Sequence, residues 1–372
     1  MLKALKYRIY PTKAQRSRLN RTLELCRWTY NETLAYRKNL YEAEGKSVSK
    51  YDTHYLLPEW KKEKSELNEV YSQVLQNVQE RVDLAFKAFF RRVRNGEDPG
   101  YPRFKGRGRY DSFAYPQGGF KIENGKLKVS KIGDIKIKLH RPIEGQIKRL
   151  TLRRVPTGKW FACFSVEEDQ TLPPWKDGSM VGIDVGLESF ATLSNGEKIA
   201  NPRFFREEEK NLAKAQRKLS KSIKGSSEWK KNLKVVDRIH ERIANRRYDF
   251  AHQISHRLVT QYGLIAFEDL NVQNMIGNHR LAKSISDVSW NMLVRLTESK
   301  AAYAGSKVIL VDPRNTSKMC SKCGAIVEKT LSDRVHNCPH CGLSMDRDQN
   351  AAINILRLGI QSLRKTDRSP TL

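Results

Sequence analysis

Two closely spaced pairs of cysteines near the end of the chain constrain its fold more than any other feature. Each pair is a C-x-x-C step, and fourteen residues separate the two steps, which consist of Cys320, Cys323, Cys338 and Cys341. A C-x-x-C turn directs two sulfurs at one tetrahedral centre, so this spacing is typical of a zinc ribbon. We expect one structural Zn²⁺ without a catalytic role. His336 and His340 lie close by in sequence, but four thiolates already complete the tetrahedron.

The charge of the chain indicates what kind of partner it binds. Its 372 residues include 69 Lys and Arg against 41 Asp and Glu, a formal net charge of +28. So basic a chain attracts polyanions, which makes nucleic acid the first expected partner. No apolar run reaches the roughly 18 residues of a membrane span, and the first residues lack the apolar core of a secretory signal. We therefore expect a cytoplasmic protein with no membrane partner, in which Cys26 and Cys163 are reduced core residues.

The first 95 residues are predicted to form one strand followed by helices. Leu5, Tyr7 and Ile9 alternate along residues 2–10, as in a half-buried strand. Thr12 and Gln15 then have the spacing of a capping box at the start of a long amphipathic helix. A second helical stripe follows, and Asn95-Gly96 is its stop signal; its apolar members are Leu67, Tyr71, Val74, Val78, Val82, Phe86, Phe89 and Val93.

From about residue 100 the apolar period changes to two. Asn124-Gly125 joins two alternating segments, which is a strong hairpin signal. We expect a small antiparallel barrel that includes the first strand, with the helices inserted into it. Residues 101–109 interleave aromatic and basic side chains and could stack bases and neutralise phosphates, although a solvated loop is an equal alternative.

The second half of the chain carries isolated acids at strand and helix ends. Asp184 lies inside the apolar segment 181–186, which a two-strand meander is expected to follow, and Glu268 ends the apolar segment 263–268. Asp348 opens the last helix, with Asp346 as its uncertain neighbour. Between them runs a long helix whose basic side chains could contact phosphate or face solvent, namely Arg238, Arg242, Arg246 and Arg247.

These acids predict a metal site. An isolated acid in a strand is costly to bury without a partner, and a divalent cation is an effective partner. Any one acid could instead be a capped turn or an ion pair. Three together, in the order strand, meander, helix, strand and helix, favour a site for two Mg²⁺ ions that hydrolyses phosphodiesters, with Mn²⁺ as an alternative ion.

Six segments of the sequence resemble TnpB, the family of transposon-encoded RNA-guided nucleases that is similar to the ancestors of type V CRISPR effectors. The resemblance covers nearly the whole chain, and the segments that carry it are residues 7–12, 182–186, 267–271, 280–287, 315–320 and 346–354.

The resemblance implies an α+β multidomain fold. It implies a wedge β-barrel domain from residues 1–10 and 96–172, with a helical recognition lobe at 11–95 inserted into it. It also implies an RNase H-like RuvC nuclease domain from residues 173–314 and 346–360, interrupted by the zinc ribbon at 315–345. Residues 361–372 are short, polar and contain Pro370, so we expect a disordered tail.

The resemblance further implies a function and its site. Asp184, Glu268 and Asp348 match the catalytic carboxylates, and none is replaced by Ala or Asn. The implied protein, a monomer in its RNA complex, binds a guide RNA from the transposon end, recognises a short motif beside double-stranded target DNA, and cuts both strands. Two alternatives remain: a catalytically silent RNA-guided repressor, and an RNA-independent transposase or resolvase.

Overall fold

The computed structural model describes residues 2–169, 173–176, 178–270, 287, 289–330 and 333–366. It divides into two compact units, Met1–Gln170 and Thr171–Leu372. Within the described ranges, no helix combines the length and the apolar character needed to cross a membrane. The resemblance segment at 280–287 is described only at Asp287, and its other residues lie outside the described part of the chain.

The first unit is built on one seven-stranded antiparallel sheet. Its strands are β1 (Leu2–Tyr10), β2 (Ser112–Tyr115), β3 (Phe120–Glu123), β4 (Lys126–Val129), β5 (Gly133–Lys138), β6 (Gln146–Arg154) and β7 (Trp160–Glu167). They are ordered β2-β6-β7-β1-β5-β4-β3, so the N-terminal strand lies at the centre. The predicted hairpin is confirmed, because β3 pairs with β4 across Asn124 and Gly125.

The sequence predicts a closed antiparallel barrel, and the sheet is nearly closed. Its two edge strands are joined by side-chain contacts and not by backbone pairing. The edge strands β2 and β3 are not hydrogen-bonded neighbours in the described sheet. Tyr115 of β2 bridges the gap, since its ring centroid lies 6.4 Å from that of Phe120 on β3. Its hydroxyl also donates to the carbonyl oxygen of Ser130 at 2.9 Å.

The helices of the first unit are α1 (Lys13–Glu44), α2 (Lys50–Tyr55), α3 (Leu57–Glu63) and α4 (Ser72–Arg94), with a 3₁₀ turn at Ser65–Glu69. The predicted capping box is confirmed: the amide of Gln15 donates to Thr12 Oγ1, and the amide of Thr12 donates to Gln15 Oε1. The second helical stripe begins later than its apolar pattern indicates. Leu67 lies in the 3₁₀ turn and Tyr71 is the N-cap of α4.

The second unit contains a five-stranded mixed sheet. Its strands are β8 (Met180–Val185), β9 (Ser189–Leu193), β10 (Lys198–Ala200), β11 (Leu264–Glu268) and β12 (Lys307–Val311), in the order β10-β9-β8-β11-β12. The predicted meander is confirmed, because β8, β9 and β10 pair antiparallel. Strands β11 and β12 instead run parallel to β8.

Among the residues that the structure describes, the second unit also has four helices and a small hairpin. They are α5 (Phe204–Ser220), α6 (Ser227–Gln261), α7 (Trp290–Ala304) and α8 (Arg347–Thr366), with β13 (Val335–Asn337) paired to β14 (Ser344–Asp346). The expectation of a disordered tail from residue 361 is wrong at its start, because α8 continues to Thr366; residues 367–372 lie outside the described residues. Leu363 and Arg364 have high helix propensity, so they extend α8 although the sequence around them is polar.

Gly182 sets the position of α8 on the sheet. A Cβ atom built there would overlap the carbonyl oxygen of Ala352 and lie 2.9 Å from Leu356 Cβ. Gly359, further along α8, allows a similar close approach to β11, because a Cβ atom built there would lie 2.7 Å from Ala266 Cβ. Glycine at these two points therefore lets the helix lie directly on β8 and β11.

Candidate carboxylate and zinc sites

The register of the parallel strands places Asp184 beside Glu268. Phe267 of β11 pairs with Ile183 of β8, so the next residue on each strand is an acid. Adjacent parallel strands lie roughly 4.8 Å apart, and residues at equal register point to the same face. The two carboxylates therefore leave neighbouring strands side by side, at the carboxyl ends of both strands.

Helix α8 brings Asp348 to the same place. Side chains alternate along a strand, so Asp184 shares a face with Gly182, and that face carries α8. Asp348 precedes Ala352 by four residues, which is about one helical turn, so it projects from the same side of α8. All three acids predicted from the sequence thus converge, although they come from three different elements.

The acids repel one another. The pKa of Asp184 is raised well above its usual value, mainly by burial and then by the negative charges of Glu268 and Asp348. Arg347, the charge that opposes this shift, is itself bound to its neighbour Asp348 at 3.2 Å. Burial also raises the pKa of Glu268. Such a cluster is short of positive charge, which a bound cation would supply.

Asp346 makes different contacts from Asp348, since it caps the helix and binds a lysine. Its Oδ1 atom accepts hydrogen bonds from the backbone amides of Asp348 and Gln349, at 3.0 Å and 3.1 Å, so it caps the N-terminus of α8. Its other oxygen binds Lys198 Nζ at 2.6 Å. Burial opposes ionisation of Asp346, but Lys198 and the amide of Gln349 lower its pKa.

Sequence reasoning missed the residue that holds Glu268. The hydroxyl of Thr316 lies 2.5 Å from Glu268 Oε1 and 3.0 Å from the carbonyl oxygen of Pro313. Thr316 lies in one of the segments that resemble TnpB, but nothing in its local sequence indicates a partner 48 residues away. Lys198 was missed for the same reason, because its contact with Asp346 spans 148 residues.

The four predicted cysteines come together. Their sulfurs all lie within 4.8 Å of one another, with Cys320 and Cys341 at 3.6 Å and Cys323 and Cys338 also at 3.6 Å. A zinc–sulfur bond of about 2.3 Å in a regular tetrahedron separates sulfurs by about 3.8 Å. None of these cysteines is in a disulfide. The residues therefore fit a closed tetrahedral zinc site.

The clustered thiols affect one another's ionisation. Burial opposes ionisation of the Cys320 thiol, but hydrogen bonds from the backbone amides of Lys322 and Cys323 lower its pKa to about 5. The amide of Leu343 favours the Cys341 thiolate, yet burial and the neighbouring sulfurs raise its pKa to about 12. Thiolates this close coexist only when a cation neutralises them.

Three of the four arginines on α6 are paired with acids of the same unit. Arg242 binds Glu208 at 2.8 Å, and Arg246 binds Glu207 at 2.5 Å. Arg247 binds Asp287, whose carboxylate also accepts from the amide of Phe205 in the first turn of α5. These pairs hold α5 against α6, so phosphate contact by these arginines would have to compete with them.

The basic segment 101–109 is anchored rather than free. The Asn31 amide group bonds both backbone groups of Lys105, at 2.8 Å and 3.1 Å, and Arg27 also donates to the Lys105 carbonyl oxygen. Tyr101 and Phe104 nevertheless keep about half of their surface exposed, at 47% and 53%. Nucleic-acid contact through this segment stays a prediction.

Comparison with solved structures defines the fold class. The chain matches a cryo-EM structure of the Cas12f1-sgRNA-target DNA complex with a TM-score of 0.57, covering 95% of this chain and 98% of that chain at 15% identity. The chain therefore shares the α+β fold of that Cas12f1 structure. Residues 290–355 also match a family model described as Cas12f1-like, TNB domain.

Relatives in sequence define the family. A protein of Streptomyces pristinaespiralis named "Putative RNA-guided DNA endonuclease" is 38% identical over 96% of this chain and 89% of its own length. InsQ of Escherichia coli K12, with the same description, is 32% identical over 100% of this chain and 98% of its own. Residues 163–279 match the OrfB_IS605 model, described as a probable transposase. The chain belongs to the TnpB family.

One family description differs from the structure. Residues 1–46 match a model described as a helix-turn-helix domain. The structure instead has the strand β1 and then the single helix α1, which runs without interruption from Lys13 to Glu44. A helix-turn-helix needs two helices joined by a short turn, so this region has no such motif.

Proposed function

We propose that the protein is an RNA-guided DNA endonuclease that cuts its target at one site formed by Asp184, Glu268 and Asp348. The observation that carries this proposal is the convergence of these acids from β8, β11 and α8, where burial and then the charges of the other two raise the pKa of Asp184. The family's relatives, named as RNA-guided DNA endonucleases, support the activity and its two nucleic-acid partners.

The donor set fits Mg²⁺. Carboxylate oxygens are the ligands that this ion prefers, and Mn²⁺ accepts them as well. Three carboxylates suit two ions about 3.5–4 Å apart, which together would activate a water and stabilise the leaving oxygen of a phosphodiester.

The chain's own residues hold this site in shape. Thr316 orients Glu268, and Asp346 fixes the first turn of α8 so that Asp348 faces the strands. Arg347 lies against Asp348 and partly offsets the negative charge when no cation is bound. The four cysteines fit a structural Zn²⁺, which leaves no open coordination position for chemistry.

The two units support the implied domains. The order β10-β9-β8-β11-β12, with its antiparallel meander and parallel later strands, suits an RNase H-like RuvC domain at 173–314 and 346–360. The ribbon at 315–345 precedes α8. In the first unit, the sheet suits a wedge domain at 1–10 and 96–172, and the helices suit a recognition lobe at 11–95.

Base pairing would supply the sequence specificity. In RNA-guided recognition the protein reads a short duplex motif and holds the RNA–DNA heteroduplex through its backbone. Backbone binding needs many cations and little base reading, which agrees with a net charge of +28. We assign the guide to the transposon-end RNA, bound by one copy of the protein.

Replacing the carboxylates one at a time tests the proposal. Asp184→Ala, Glu268→Ala and Asp348→Ala should each abolish DNA cleavage, because each removes a cation ligand, while guide RNA and target DNA bind as before. Cleavage of matched DNA and filter binding of both nucleic acids measure the two effects. The exposed Glu144, in the loop between β5 and β6, provides a matched control as Glu144→Ala. Normal cleavage by any of the three variants would remove that residue from the site.

A further inference from the structure

Thr316 lies at the start of the zinc ribbon and contacts the carboxylate site. It is 3% exposed, and its hydroxyl lies 2.5 Å from Glu268 Oε1. A hydroxyl carries one proton, and an ionised carboxylate is a stronger acceptor than the Pro313 carbonyl group, so the proton goes to Glu268. Four residues further along the chain is Cys320, the first of the four clustered cysteines.

The backbone of this segment is clamped to α8. The side-chain amide of Asn354 donates to the carbonyl oxygens of Thr316 and Met319, at 2.9 Å and 2.6 Å. One turn earlier, Asn350 donates to the Met319 oxygen at 2.8 Å and accepts from the Ser321 amide at 2.9 Å. Both asparagines are fully buried.

These contacts join the two sites mechanically. The residues from Thr316 to Ser321 connect Glu268 on the sheet, Asn350 and Asn354 on the helix that carries Asp348, and the first cysteine of the cluster. A displacement of this segment would therefore act both on Glu268 and on the helix that carries Asp348.

We propose that Thr316 is a positioning residue for the carboxylate site: its hydroxyl orients Glu268 and Asn354 of α8 holds its backbone, so that loss of the hydroxyl weakens binding of a divalent cation by the carboxylates. The inference rests on the proposed function. Outer groups that orient a metal ligand usually change metal affinity by about 10–100-fold when removed.

The test measures binding of Mn²⁺ to the zinc-loaded protein in complex with its RNA, without target DNA, by electron paramagnetic resonance. Thr316→Val removes the hydroxyl at nearly constant shape and should weaken Mn²⁺ binding about 10–100-fold. Thr316→Ser keeps the donor and should restore affinity to within a few-fold of the wild type. Zinc content and melting temperature in Mn²⁺-free buffer show whether each variant is folded, and Thr316→Ala replaces the valine variant where that one does not fold.

The outcomes separate this inference from the proposed function. Equal Mn²⁺ affinity in wild type and in a folded Thr316→Val or Thr316→Ala variant overturns the role of Thr316. Loss of affinity in Thr316→Ser as severe as in Thr316→Val also overturns it, because the hydroxyl would then not be the cause. Wild-type protein that binds no more Mn²⁺ than Asp184→Ala contradicts the carboxylate site itself, whatever Thr316 does.

Discussion

At the scale of single residues, two acids of one Asp-x-Asp step make different contacts. Asp348 is the second residue of the first helical turn and lies among the carboxylates, whereas Asp346 is the N-cap and binds Lys198. The resemblance favours Asp348 as the metal ligand, and the hydrogen bonds of Asp346 give an independent reason. An acid that caps a helix and pairs with a lysine has little charge left to offer a cation.

Asp346→Ala should therefore reduce cleavage only modestly. Losing the N-cap destabilises the protein by about 1 kcal/mol and loosens the first turn of α8. Asp346→Asn is the matched control, because asparagine caps a helix as well as aspartate does and removes only the charge. Cleavage rates and thermal unfolding of both variants measure the effect. Abolished cleavage in Asp346→Asn, with normal cleavage in Asp348→Ala, would reverse the assignment within the pair.

Residues with strong local signals were predictable, and residues defined by distant contacts were not. Asp184 and Glu268 are conspicuous because an acid interrupts or ends an apolar strand. Thr316 and Lys198 are ordinary in their local sequence, and their importance comes from partners 48 and 148 residues away. No periodicity or spacing rule encodes a contact of that kind.

At the scale of elements, the contact between α8 and the sheet decides whether the site forms. Its direction follows from Gly182, which faces Ala352 and Leu356 with no room for a side chain. The apolar pattern indicates that α8 is amphipathic, but which strand it crosses, and at what point, depends on this close approach. The N-terminus of α8 reaches Asp184 only because the helix crosses β8 there.

Gly182→Ala should disable the protein without changing any charged group. The added methyl group would overlap the backbone of α8 at Ala352, and backbone cannot move aside as a flexible side chain can. Overpacking of this kind costs about 3 kcal/mol, and the shift of Asp348 should cause a large loss of cleavage. Gly118→Ala is the control, since nothing lies within 4 Å of the added atom. Denaturant unfolding and cleavage assays test both; wild-type stability in Gly182→Ala would contradict the close approach.

The zinc ribbon yields a second prediction at this scale. A Cys323→Ser/Cys341→Ser variant removes two of the four sulfurs and should lose its zinc, because two ligands cannot hold a structural ion. The segment up to Ser321 should then loosen, which exposes the C-terminal region to protease. Metal analysis and limited proteolysis measure both effects. Cys26→Ser/Cys163→Ser is the matched control and should keep its zinc; full zinc in the first variant would refute the assignment.

At the scale of the whole molecule, charge is the dominant property. A net charge of +28 on 372 residues repels itself and attracts any polyanion. Affinity that arises from phosphate contacts falls steeply with salt and carries no sequence information. Selectivity must therefore come from something other than these phosphate contacts, and under the proposed function a guide RNA would supply it by pairing.

RNA should accordingly be an obligatory part of the enzyme. Without it, the protein should be less stable and should bind nucleic acid indiscriminately, because its cations are unneutralised. With the transposon-end RNA bound, selectivity passes to base pairing, and mismatches nearest the target-adjacent motif should reduce cleavage most. The measurement compares protein purified with and without that RNA, offered a matched and a mismatched DNA duplex in Mg²⁺ at fixed salt, with Asp184→Ala as the inactive control. Equal cutting of both duplexes by the RNA-free protein would instead favour a transposase or resolvase, and guided binding without cutting by the RNA complex would favour a silent repressor.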